Sequence, residues 1–177
     1  GADAGNSGLK LNVLGLNPLF IPSIYSHHIG EATHILSDED ISVEELENNI
    51  DVTISSPTLK TNNMRYIIGQ KVIDENIKGI EMEKKSDKSK DDLVLLVTLA
   101  GLAITAMKKQ PNKDKIDVTY DLSVALPVAT ITPQTAQEFV ERYMNHHTVK
   151  FHHPSGREVV VNIQIEFCKC LPEGAAD

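Results

Sequence analysis

The chain has 177 residues, with 17 basic and 25 acidic side chains and a formal net charge of −8. Hydrophobic residues make up 41% and charged residues 24%. That is the balance of roughly one globular domain, and it excludes a mostly disordered chain, a collagen-like chain and a disulfide-stapled miniprotein. A net −8 also argues against a broad electrostatic footprint for nucleic acid.

The start, Gly1-Ala2-Asp3, has neither the basic opening nor the apolar core of a signal peptide. Small and turn-forming residues fill positions 1–8. Leu9 to Leu14 then alternates with period two, Leu9, Leu11 and Val13 against Lys10 and Asn12, and predicts a strand. Asn17-Pro18 signals a turn. Leu19 to Tyr25 predicts a second extended segment, in a hairpin with the first.

Residues 26–50 are polar, with His27, His28 and His34 early and an acidic run from Asp38 to Glu47. A loop with a short helix near Ser42-Val43-Glu44-Glu45 is expected, on a cap-like pattern. Asp51 to Ser55 and Met64 to Ile68 read as strands, the second ended by Gly69. Val72 to Glu83 carries no clear period. Lys84 to Lys90 reads as a solvated charged loop.

Ser89 with Asp92 resembles a capping box, and Asp91 and Asp92 suit the positive end of a helix dipole. A buried helix is therefore expected over 89–109, closed by Lys108-Lys109 and stopped by Pro111. It is apolar nearly all round, which predicts burial on more than one side. Its run from Leu93 to Met107 is shorter than the ~20 residues a bilayer span needs. Lys115 to Leu126 alternates as a strand. Thr132-Pro133 is an N-cap with Pro at the first helical position, and Ala136, Phe139, Val140 and Tyr143 make one helical face. Thr148 to Phe151 and Glu158 to Cys170 predict the last strands, around a turn at Pro154-Ser155-Gly156. The element order implies an α/β domain with a mixed sheet.

Two short segments suggest chemistry. Asp3-Ala4-Gly5-Asn6-Ser7-Gly8-Leu9-Lys10 is a tight turn between strands, whose N–H groups and hydroxyl suit an anion, phosphate above all. Asp3 could hold water on Mg²⁺, and Lys10 could reach the same phosphates. On spacing alone an ordinary hairpin turn is the simpler reading. Leu171-Pro172-Glu173-Gly174-Ala175-Ala176 places a carboxylate after a strand and a proline. A lone Glu there is more often a cap or a surface residue.

The histidines fall in adjacent pairs, His27-His28, His146-His147 and His152-His153. Neighbours in a strand face opposite ways, so a pair does not chelate. Cys168 and Cys170 are too few for a disulfide framework and suit one face of a strand. Their spacing from the histidines matches no common closed zinc site. The acidic stretch 38–47 lacks the glycine of an EF-hand loop.

Taken together, these segments resemble the N-terminal half of the bacterial actin-like ATPases of the plasmid-segregation (ParM-like) type. The resemblance covers nearly the whole chain. Asp3 to Lys10 looks like the family's first phosphate loop, and Phe20-Ile21-Pro22-Ser23 like its "FPS" strand end. Arg65-Tyr66-Ile67-Ile68-Gly69, Leu126-Pro127-Val128 and Leu171-Pro172-Glu173-Gly174 resemble further family segments, with Ala125 where Gly is commoner. No single segment is specific; their order and spacing carry the resemblance.

The resemblance implies a ribonuclease-H-like, actin-like lobe formed by residues 1–25 and 81–177, with 26–80 as a small inserted subdomain. It implies ATP and Mg²⁺ as cofactors. Asp3 would orient Mg²⁺ through water. Gly5, Asn6, Ser7 and Gly8 would present donors to phosphates, and Lys10 would contact phosphate as a point charge. Glu173 would position or deprotonate the attacking water. It further implies cytoplasmic filaments that segregate a plasmid through an adaptor protein bound to centromeric DNA, with no direct nucleic-acid contact and no membrane. Two alternatives stay open: a fragment of another kinase or chaperone ATPase of the same superfamily, and a non-catalytic self-association module. In this family ATP lies between two such lobes. The chain, ending four residues after Glu173, reads as half of a cleft that alone would bind ATP poorly and hydrolyse little.

Overall fold

The longest apolar run forms α2 (Asp92–Lys109), and the rest of the molecule is arranged around it. The computed structural model describes residues 1–5, 7–28, 43–82 and 87–174. Every residue of α2 from Leu93 to Met107 is buried. The buried hydroxyls of Thr98 and Thr105 donate to the helix's own Val94 and Gly101 carbonyls, at 2.8 and 2.9 Å, so neither hydroxyl is stranded. Among the described residues no helix is long and apolar enough to cross a membrane.

Among the described residues, a mixed sheet of ten strands supplies the surroundings. β1 (Ala2–Ala4), β2 (Gly8–Leu11) and β3 (Leu19–Pro22) form an antiparallel meander. β8 (Lys115–Leu126) runs parallel to β1 on one side and to β10 (Glu158–Pro172) on the other. β9 (Asn145–His152) is antiparallel to β10 and joins it to β5 (Ile50–Ser55) and β6 (Met64–Ile68). β4 (Ile24–His27) and β7 (Ile80–Glu81) complete the order β3-β2-β1-β8-β10-β9-β5-β6-β4-β7. Residues 50–68 thus continue the same sheet, with Val52 opposite Phe151.

One residue, Ser23, separates β3 from β4, yet these strands lie near opposite ends of the order. Consecutive Cα atoms are about 3.8 Å apart, so the sheet has to curl until its ends approach. α2 lies inside the curl and touches β1, β2, β3, β5, β8, β9 and β10. A helix enclosed on all sides needs apolar residues all round, which is what the sequence provides. α3 (Pro133–Tyr143) packs Phe139 and Tyr143 inward, and the Tyr143 hydroxyl donates to Thr98 Oγ1 of α2. A short α1 (Gln70–Asp74) follows Gly69, whose φ of +73° suits glycine.

Several expectations change in detail. The buried helix begins at Asp92, not 89. Its cap is Asp91, whose carboxylate accepts the Leu93 N–H at 2.9 Å, while Ser89 Oγ donates backward to Asp87 at 2.6 Å. The Ser89–Asp92 capping box is therefore not formed, because Asp87 and Ser89 close their own turn first. The stretch 84–90 is not simply a solvated loop: Lys88 and Ser89 are buried, and 84–86 lie outside the described residues. The strand expected over 9–14 ends at Leu11, and the segment 19–25 is split at Ser23. The helix expected near Ser42-Val43-Glu44-Glu45 is a 3-10 turn, Val43–Asn48. Asn6, His34, residues 38–42 and Ala175-Ala176 lie outside the described residues.

Two tests follow from this packing. A Cβ on Gly101 would sit 3.1 Å from Leu11 and 3.2 Å from Leu9. Gly101→Val should therefore cost about 1–3 kcal/mol by overpacking, despite its gain in helix propensity. Urea unfolding checks this; equal or greater stability would contradict the close approach. The second concerns His147, which is fully buried between Ser56 Oγ (2.8 Å) and the Tyr143 carbonyl (2.7 Å). Burial lowers its pKa below the usual 6.5, and His152 shifts the same way. The unfolded chain then takes up protons first as pH falls, so stability is full above about pH 6.5 and declines below it. The urea midpoint should drop between pH 7 and 5, and His147→Gln should flatten part of that slope. Identical slopes would contradict the assignment.

Candidate functional site

β1, β8 and β10 are parallel and end at the same edge of the sheet. In open α/β sheets, ligands bind outside the carboxyl ends of such strands. Asp3 is the middle residue of the three-residue β1, and Glu173 directly follows β10. The Glu173 N–H donates to the Leu126 carbonyl at 2.9 Å, which fixes it beside the end of β8.

Strand parity turns both carboxylates to the same face. Ala2, Val124 and Cys170 lie in one row across the parallel strands, and Ala2 and Val124 are buried. Asp3, one residue on, faces outward. Along β10 the inward residues are Val159, Val161, Ile163 and Ile165. The register to β8 then slips between Ile165 and Phe167, and afterwards Cys168 and Cys170 face the core side, opposite Leu122 and Val124. This bulge at Glu166 reverses the parity. It leaves Phe167 55% exposed and puts Glu173 on the face of Asp3.

By strand spacing and rise, the two backbone positions are roughly 12 Å apart, too far for the carboxylates to meet directly. Lys88 fills the gap. Its ammonium donates a hydrogen bond to Glu173 Oε1 and lies 3.9 Å from Asp3 Oδ1. The Lys88 side chain is only 7% exposed, while those of Asp3 and Glu173 are 54% and 34% exposed. A tight turn holds its backbone. Asp87 accepts from the Ser89 N–H and Oγ at 3.0 and 2.6 Å, and the Lys90 N–H donates to the Asp87 carbonyl at 3.0 Å. Lys88 is the site residue that sequence reasoning missed. Nothing in a run of lysines and aspartates marks which one is buried.

The turn after β1 is braced from below. Gly5 N–H donates to the Gly8 carbonyl at 2.9 Å and is thereby engaged. Ser23 Oγ donates to the Gly5 carbonyl at 3.1 Å, and Ser23 N–H to the Ser7 carbonyl at 3.3 Å. With the Ser7 carbonyl turned to Ser23, the Gly8 N–H, trans to it, faces away. A Cβ on Gly8 would lie 2.4 Å from the Phe20 ring, so only glycine fits. Phe20 and Ser23 thus support the turn, a role that their strand-end motif did not disclose. Ser7 is exposed, and Lys10 is exposed directly opposite Asp3 in the β1–β2 register.

The donor set suits a hard cation only in part. Among the described residues no group of three His, Cys, Asp or Glu gathers to hold a metal. Mg²⁺ keeps most of its waters and takes one or two carboxylates, a demand that Asp3 and Glu173 could meet without a third protein ligand. The thiols lie elsewhere in character: burial pushes Cys168 up to about 12 and raises Cys170, so both are poor nucleophiles at neutral pH.

Residues 1–175 match the family model for the N-terminal domain of actin-like proteins. ParM from Bacillus thuringiensis in apo form superposes with a TM-score of 0.76 at 19% identity, covering 98% of this chain and 45% of its own. ParM of that organism with AMPPNP gives 0.68 at 20% identity, with coverage of 96% and 43%. The actin-like protein Alp7A gives 0.74 at 17% identity, with 97% and 43%. A ParM filament from Clostridium botulinum gives 0.64 at 20% identity, with 98% and 47%. At these identities the likeness is one of fold, and the chain spans a little under half the length of these relatives. No curated protein matches in sequence. The α/β lobe with its curled mixed sheet, and a family match over nearly all its length, place the chain among the actin-like proteins as an N-terminal domain of that family.

Proposed function

We propose that the end of the parallel strands binds Mg²⁺ and the phosphates of ATP, and that the protein carrying this chain is a filament-forming ATPase of plasmid segregation. The observation that carries this reading is the meeting of Asp3 and Glu173, from opposite ends of the sequence, on one buried lysine, Lys88. Relatives solved with AMPPNP and as a filament support it.

On this reading Asp3 orients cation-bound water. Asn6, Ser7 and Gly8 present donors to the phosphates, with Gly5 shaping the turn and Lys10 adding a point charge from the next strand. Glu173 aligns or deprotonates the attacking water. Bound Mg²⁺ supplies charge neutralisation on the phosphate oxygens. Phosphoryl transfer depends mainly on such positioning and neutralisation. The second lobe of the cleft, an adaptor on centromeric DNA and a cytoplasmic setting complete the proposal. The net −8 suits contact with DNA through the adaptor rather than directly.

Nucleotide titration with Mg²⁺ on the protein that carries this chain tests the reading. Asp3→Ala should weaken binding of Mg·ATP at least tenfold. Glu173→Ala should slow hydrolysis about a hundredfold or more while changing nucleotide affinity little, because its work is done in the transition state. ATP-dependent sedimentation should separate a filament former from a kinase of the same superfamily. Unmeasurable ATP binding with Asp3→Ala changing nothing would leave only the self-association module. Equal losses of binding and hydrolysis in Glu173→Ala would remove that residue from the water-activating role.

A further inference from the structure

We infer that Lys88 is the resident counter-ion of this site, and that it and a divalent cation exclude each other at Asp3 and Glu173. The inference rests on reading Asp3 as the cation side of the phosphate site, with Glu173 as the carboxylate beside it.

The geometry carries it. Lys88 is a buried lysine whose ammonium lies between carboxylates from β1 and from the end of β10, 3.9 Å from the first and hydrogen-bonded to the second. Lysine is seldom buried unless paired. Here the pairing spans 85 residues on each side, from Asp3 to Lys88 and from Lys88 to Glu173. The backbone is pinned by the Asp87–Lys90 turn. The four-carbon stem, in contrast, leaves the ammonium free to change partners.

Two carboxylates without a counter-ion would repel each other and attract any passing cation. Lys88 cancels that attraction. A free divalent ion must evict a buried ammonium, which would then have no partner, and an unpaired buried charge is costly. A cation that arrives with a polyphosphate differs, because its phosphate oxygens offer Lys88 a new acceptor. Lys88 thereby makes the site selective for a cation–polyphosphate pair over the bare cation. It also holds the Glu173 side chain in place before the nucleotide arrives. It acts through Glu173 and Asp3 and is a positioning residue.

The test uses the 177-residue chain and Mn²⁺ without nucleotide, followed by the electron paramagnetic resonance of free Mn²⁺. Lys88→Met keeps the apolar stem and removes the charge. It should bind Mn²⁺ at least tenfold tighter than the parent chain, and Lys88→Met with Glu173→Gln should lose that gain. An affinity within twofold of the parent, or a gain that survives Glu173→Gln, would overturn the inference. Should Lys88→Met fail to fold, the unsubstituted chain decides. With lysine labelled at ¹³Cε, Mg²⁺ with inorganic tripolyphosphate should shift the Lys88 resonance, and the same Mg²⁺ alone should not. A resonance that neither moves, or that Mg²⁺ alone moves fully, would overturn it. A Mn²⁺ gain in a protein that binds no ATP would sink the ATPase proposal and spare this one. ATP binding without the gain would do the reverse.

Discussion

The single-residue step at Ser23 constrains the rest of the molecule. A chain that finishes β3 and begins β4 within one residue cannot place these strands near the two ends of a flat sheet. The sheet curls, and the curl has to be filled. α2 fills it, which is why fifteen successive residues of that helix are buried and why its polar hydroxyls turn back onto its own carbonyls. Gly101 lets the helix come close enough to touch Leu9, Leu11 and Ile21. The same Ser23 then hydrogen-bonds the carbonyls of Gly5 and Ser7, so the closure of the fold and the support of the candidate phosphate turn share one side chain and one backbone amide.

The site is a consequence of how the parallel strands end. Asp3 and Glu173 are brought to one edge by the β1–β8–β10 pairing and to one face by the bulge at Glu166. Without that extra residue, Glu173 would have inherited the inward parity of Val161 and Ile163. The cost of the bulge is a stretch of ladder that exposes Phe167, an expense usual near functional edges. Lys88 then closes the remaining gap, entering from the turn that precedes α2. The helix at the centre of the fold therefore also delivers the charge at the centre of the site.

Much of this was legible in the sequence. The period-two run from Lys115 to Leu126 and the Thr132-Pro133 start of α3 gave their elements with the right bounds, because local pattern and tertiary environment agree there. The all-round apolar character of α2 predicted its enclosure. Asp3 and Glu173 were singled out by family-like segments, and the fold sets them about one lysine. Lys88 itself was hidden, since its burial depends on partners 85 residues away and leaves no local period. The continuous look of Leu19 to Tyr25 concealed the step between sheet ends for the same reason. The parity break after Ile165 was visible in principle: inward apolar positions change from odd to even between Ile165 and Cys168.

The central claim is that the edge formed by β1, β8 and β10 receives a magnesium-bound polyphosphate. A crystal structure of the protein carrying this chain, grown with Mg²⁺ and a non-hydrolysable ATP analogue, tests it most directly. The account predicts phosphate oxygens against the Gly5–Gly8 turn, Asp3 on the cation's water shell, and Lys88 moved from carboxylate to phosphate. Phosphates bound elsewhere, with Lys88 still joining Asp3 and Glu173, would contradict it.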